Sequence, residues 1–235
     1  MKTISKPKVN FSYDLKKDAW SWMVIAKSKD LWGMDWREQV AHIPDDLLNK
    51  IEKNNFAQAQ KIVEKYIRKN SRTKYKNLVI REEKQALEKS WRSVEKKYFK
   101  TLAEITQRPI FTQKFDCYFT TGVMCPYNEK ENWFMASMWR SIPASITTIC
   151  HEVMHLQFLH YYKDYLKKKG LKNNQIEDLK EALTFLLDEK EFDEIILCDD
   201  NGYPEHQRLR KKLKKIWGKE KDFKKLLEKG IGLVK

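Results

Sequence analysis

His151-Glu152-Val153-Met154-His155 (HEVMH) is the stretch on which the reading of this chain turns. If Ile146 to Tyr162 is helical, the two histidines stand four residues apart on one face. Their imidazoles can then close on a single Zn²⁺ from adjacent turns. Glu152 stands beside them, placed to take a proton from a metal-activated water without being a ligand itself. The chain holds five histidines in 235 residues, and a chance HExxH is on the order of one in a hundred for such a composition. Ile146, Ile149, Cys150, Val153, Met154, Leu156, Phe158 and Leu159 make the segment apolar on most sides, as in a buried helix. Histidine and glutamate inside such a helix need partners, and a metal supplies them.

A catalytic zinc usually takes three protein ligands and keeps a fourth position for water. The HExxHxxGxxH spacing would put glycine at Phe158 and histidine at Tyr161, so that route to a third ligand fails. His160 lies about 140° around the helix from His155 and reads as a packed or surface histidine. The other route is an acid on the following helix. Glu181, 26 residues after His155, allows a helix end, a turn and an antiparallel return. Leu179, Leu183, Leu186 and Leu187 give that helix an apolar side to pack with. Glu177 shares much of the same face and is the alternative ligand, while Asp188, Glu189 and Glu191 read as solvated charges.

On His151, Glu152 and His155, with Glu181 as a further match, the chain resembles the gluzincin type of HExxH zinc metallopeptidase. The resemblance covers roughly Phe115 to His206, and only HExxH within it is specific. It implies a strand along the cleft above the active-site helix that pairs with an extended peptide substrate. Asn132 to Trp139 is in the right order to be that strand, and it reads equally as an ordinary core strand. The resemblance also implies a Tyr or His beyond the last ligand that stabilises the oxyanion. Asn201 to His206 offers Tyr203 and His206, with His206 preferred.

Around this centre the chain changes texture. The first hundred or so residues read as helices: Asp14 to Lys29 with Trp20 and Trp22, then Trp32 and Trp36 beyond it. A proline and two acids at Pro44-Asp45-Asp46 start another, ahead of Leu47, Leu48 and Ile51. Phe56 to Ile67 continues the pattern, and from Arg81 to Gln107 the residues Leu87, Trp91, Val94, Tyr98, Leu102 and Ile105 step at three or four. The tryptophans read as core. After Pro109, Phe115 to Thr121 and Asn132 to Trp139 have the residues of strands, separated by the polar turn 128–131. Gly170 marks the latest end of the HExxH helix. A further helix spans about Gln175 to Glu191. The division this suggests is a helical N-terminal region, 1–108, and a catalytic region, 109–235.

The net charge is +14. From Gln207 to Lys235 twelve Lys/Arg face three acids, a local balance of +9, with Leu209, Leu213, Ile216 and Trp217 at helical spacing. This end reads as a basic amphipathic helix with a solvated lysine face; contact with nucleic acid is the less favoured reading, because no nucleic-acid motif accompanies the charge. Four irregularly placed cysteines, Cys117, Cys125, Cys150 and Cys198, indicate neither a zinc ribbon nor a disulfide framework. Cys117 and Cys125 flank a turn and could meet across a hairpin, but reduced thiols in a cytoplasmic protein are the expectation. Neither a signal peptide nor a transmembrane run is visible.

The expected molecule is therefore an α+β protein, mainly helical, with a small β-sheet packed on the HExxH helix. The expected function is a cytoplasmic zinc metallopeptidase in which His151, His155 and Glu181 hold Zn²⁺ and Glu152 is the general base. Its partner is a peptide or protein substrate, with no membrane. Two rivals remain: a nucleic-acid-associated protein, including a protease of DNA-bound proteins, and a non-catalytic protein holding a structural zinc. The second needs a fourth protein ligand that no spacing nominates.

Overall fold

The computed structural model describes residues 6–28, 31, 33–37, 44–71 and 74–235; Trp32, read above as core, lies outside them. The chain forms β1 (Lys8–Ser12), α1 (Leu15–Lys27), α2 (Asp45–Glu52), α3 (Phe56–Tyr66), α4 (Lys74–Thr106), β2 (Lys114–Thr120), β3 (Tyr127–Asn128), β4 (Trp133–Ser137), α5 (Ile142–Lys168), α6 (Asn173–Leu183), α7 (Gln207–Glu220) and α8 (Phe223–Val234). This is the mainly helical α+β architecture expected. No helix among the described residues is long and apolar enough to cross a membrane.

The sheet has the order β1-β2-β4-β3, with β1, β2 and β4 parallel and β3 antiparallel to β4. Side chains alternate across it. Phe115, Cys117 and Phe119 of β2, with Phe134 and Ala136 of β4, face the main core shared by α4 and α5. On the other face Trp20 of α1 meets Trp133 edge-on at 5.6 Å. Both faces are covered, so all five residues of β4 are buried. Within Asn132 to Trp139, Trp133–Ser137 is thus a core strand, while Trp139 beyond it is exposed. The outer strand on that side is β3, whose Pro126 neighbour accepts the Met135 amide at 3.0 Å.

β1 departs from the all-helical reading of the first hundred residues. It is five residues long, and its outer edge is satisfied by side chains of α4: the Val9 amide donates to Glu95 Oε1 at 2.7 Å, and its carbonyl accepts from Arg92 Nη2 at 2.7 Å. Through β1 and α4 the main core runs continuously across residue 108. A smaller core joins α1, α2 and α3 around Met23, Ile51 and Val63. Buried Asp18 fastens α1 to the end of β2. It accepts from Thr120 Oγ1 at 2.7 Å, the Thr121 amide at 2.8 Å and Tyr13 Oη at 2.8 Å.

α5 begins where Ser141 Oγ accepts the Ala144 amide, with Pro143 in the first turn. It is buried from Ser145 to Leu159 on every side, wedged between β4, α4 and α6. Gly170, at φ +88°, closes it and turns the chain back. α6 then packs along α5 through Ile176, Leu179 and Leu183. It ends at Leu183, before the Glu191 expected, and passes into short 3₁₀ turns. The basic C-terminal end is two helices, not one. Lys221 at φ +48° separates them, and Leu213, Trp217, Phe223, Leu226 and Ile231 join the main core.

Candidate metal centre

His151 and His155 project from one face of α5 with ring centroids 4.1 Å apart. The return of α6 sets Glu181 opposite them. Its Oε2 lies 3.4 Å from His151 Nε2 and 3.5 Å from His155 Nε2. One candidate ligand atom from each residue falls within 4.8 Å of the others, and all three residues are buried. His155 Nε2 and Glu181 Oε2 are shut off from solvent with no hydrogen-bond partner among the described residues. Buried polar atoms left this way are costly unless something binds them. Two imidazole nitrogens and a carboxylate oxygen are a donor set that suits zinc, so the residues present fit the metal.

Glu152 is buried on the same turn, its Oε2 3.7 Å from His155 Nδ1 and without a hydrogen-bond partner among the described residues. Burial, more than anything else, raises its pKa to about 7. It is therefore poised between holding and releasing a proton near neutrality. Burial alone would lower the pKa of His151, but Asp200 and Glu181 beside it raise it well above the ordinary value. For His155 burial prevails and lowers it. Burial would raise the Glu181 carboxyl, yet His155, Lys180 and His151 together hold it well below its usual range.

Two residues of the site were not singled out from the sequence. Asp200 lies in the segment before α7 and places both carboxylate oxygens 3.3 Å from His151 Nδ1. That contact leaves Nε2 as the nitrogen of His151 that faces Glu181, 3.4 Å from its Oε2. Arg210 holds Asp200 in turn, donating to its carbonyl and to Asp188 Oδ2 at 3.2 Å. Asp188 also accepts the Asp200 amide at 2.9 Å, so it is a structural partner and not the solvated charge expected. Lys180, only 1% exposed, is the second. Nothing in a single sequence distinguishes Asp200 from Asp199, or Lys180 from the other lysines of a lysine-rich chain.

The other expected residues sort by position. Glu177, the alternative ligand, bonds Lys180 Nζ at 2.6 Å and Tyr127 Oη at 3.2 Å and stays outside the cluster. Tyr203 lines the cavity over the site, its ring 6.0 Å from that of Trp36. His206 does not line it; its Nε2 faces Asp178 Oδ1 at 3.1 Å. Of these two expected residues, Tyr203 is the one at the cavity wall. His160 is exposed and stacks on Phe111 at 4.3 Å, a surface histidine as read. All four cysteines are free thiols.

The cavity holds about 350 Å³. His151, Glu152, His155 and Glu181 share its lining with Met124, Tyr127 and Arg140. Groups alternate along an antiparallel strand, so with Pro126 bonded to β4 the Tyr127 amide and carbonyl face away from the sheet. Comparison with protein families, with curated proteins and with solved structures finds no match to this chain.

Proposed function

We propose that this chain is a zinc-dependent metallopeptidase, a hydrolase of peptide bonds with Glu152 as its general base, working in the cytoplasm. The observation that carries the reading is the pair of buried atoms without a hydrogen-bond partner among the described residues, His155 Nε2 and Glu181 Oε2, gathered with His151 beside Glu152 Oε2, which is buried and unpartnered in the same way. His151, His155 and Glu181 would hold the metal, which when bound supplies Lewis acidity and lowers the pKa of water toward neutrality. Glu152 Oε2 accepts the proton and returns it to the leaving amine. Tyr203, with its hydroxyl kept protonated by burial, is the oxyanion donor that position favours. The outward backbone of Tyr127 offers an extended peptide one strand to pair with.

The test joins metal analysis of the purified protein to peptide-library cleavage by wild type and Glu152→Gln. About one zinc per chain is expected in both, with hydrolysis reduced by roughly a hundredfold or more in the variant. A fully active Glu152→Gln would remove Glu152 as the base. A second reading, a protein acting on nucleic acid or on DNA-bound proteins, has one observation in its favour. Arg208, Lys211, Lys212, Lys214, Lys215 and Lys219 of α7 are exposed and make no ion pair among the described residues. Steeply salt-dependent binding to duplex or single strands would favour it.

A further inference from the structure

Lys180 is a charged side chain with no route to solvent, set beside the third ligand. Its ammonium donates to Glu177 Oε2 at 2.6 Å and to Tyr127 Oη at 2.7 Å, and it ion-pairs with Glu181 Oε1 at 3.1 Å. The two oxygens of Glu181 are thereby divided. Oε1 belongs to the lysine, and Oε2 is the buried, unpartnered atom that faces both histidines. A carboxylate free at both oxygens can bind a metal through two atoms and fill the position that water needs; one whose second oxygen is paired with a buried ammonium cannot do so without giving up that ion pair. Lysine delivers this as a compact point charge with three donors, so one residue ties α6, the rim strand β3 and the ligand together.

We infer that Lys180 is a positioning residue that makes Glu181 a one-oxygen ligand and so keeps a coordination position open. The inference rests on the metal-site reading above. It also accounts for Glu177, whose carboxylate neutralises the lysine that Glu181 does not fully balance.

The protein, its Lys180→Met variant and its Glu177→Gln variant are titrated with Co²⁺ against a chelator while the visible spectrum is recorded. Met keeps the volume of the lysine stem, and far-ultraviolet circular dichroism checks the fold. The wild type should bind one Co²⁺ with the intense bands of a four-coordinate site. Lys180→Met should bind about 10–100-fold more weakly and show the fainter bands of a higher coordination number. Glu177→Gln, which leaves the Lys180–Glu181 contact in place, should keep the wild-type spectrum. X-ray absorption of the zinc-loaded wild type supplies a measurement independent of any variant: a single carboxylate oxygen at about 2.0–2.2 Å is expected. Two oxygens from Glu181 in the wild type, or an unchanged spectrum and affinity in Lys180→Met, would overturn the inference. A wild type that takes up no metal would instead remove the reading beneath it.

Discussion

Asp200 presents both carboxylate oxygens to Nδ1 of His151 at the same distance, 3.3 Å. That fixes which nitrogen of His151 faces Glu181, and it depends on a residue of a different segment, itself held by Arg210. Replacing Asp200 with Asn keeps the shape and removes the charge. Metal affinity should fall by about 10–100-fold, with the fold intact, because carboxylates behind ligating histidines contribute on that scale. Chelator competition measures it, and an unchanged affinity would separate Asp200 from the site.

The ligand set makes a sharper claim. His151→Ala, His155→Ala and Glu181→Ala should each lose metal, whereas Glu177→Ala should keep it, since Glu177 is engaged with Lys180 and Tyr127. Metal analysis of the four variants decides this. Retention in Glu181→Ala with loss in Glu177→Ala would move the third ligand one turn earlier.

Metal and stability should be linked. An ion bound only by the folded chain, at a free concentration of about a hundred times its Kd, adds about 2.7 kcal/mol. Stripping it with a chelator should therefore lower the melting temperature of the wild type and leave that of His155→Ala unmoved. Equal shifts in both proteins would point to an effect elsewhere.

Gly202 adopts φ +63°, and a Cβ there would stand 2.8 Å from Arg210 Nη1. Gly202→Ala should cost about 1–3 kcal/mol from backbone strain, and by displacing Arg210 it should weaken the metal through Asp200. Gly170, at φ +88°, has open space around the position a methyl group would take, with no atom within 4 Å, so Gly170→Ala should carry strain alone. Urea denaturation with metal titration distinguishes them; equal metal affinity in the two variants would contradict the Arg210 linkage.

At the far end of the sheet, Asp18→Ala leaves the Thr121 amide and Thr120 hydroxyl without their acceptor in a buried setting. A loss of about 3 kcal/mol is expected, read as a lower urea midpoint at constant slope. A midpoint unchanged from wild type would mean that α1 is fastened to β2 by packing alone.

The HExxH helix was legible because its signals are local: a histidine pair at helical spacing, an apolar surround and Gly170 after it. Glu181 was legible because a leucine pattern placed it on a helix that could fold back. The rest of the site was not, because it is assembled from afar. Asp200 reaches His151 across 49 residues, and Lys180 gains its role only once Tyr127 of β3 arrives beside it. β1 is hidden in the sequence because five residues with two inward apolar side chains make too short a pattern. Its pairing partner lies a hundred residues on. The end of α6 is overestimated because Leu186 and Leu187 continue its apolar run, yet they enter the core through a 3₁₀ turn.

The placement of β1 has a bearing on assembly. Its register with β2 joins Val9 to Phe115, so the sheet cannot be completed until the chain has been made well past α4, although α1, α2 and α3 can associate earlier around their own small core. In a protein trimmed of its first dozen residues, β2 would present an unpaired row of amides and carbonyls beside Phe115, Cys117 and Phe119. An unpaired strand edge of this kind recruits strands from other molecules. The short first strand thus acts as a guard against self-association for the layer that supports α5.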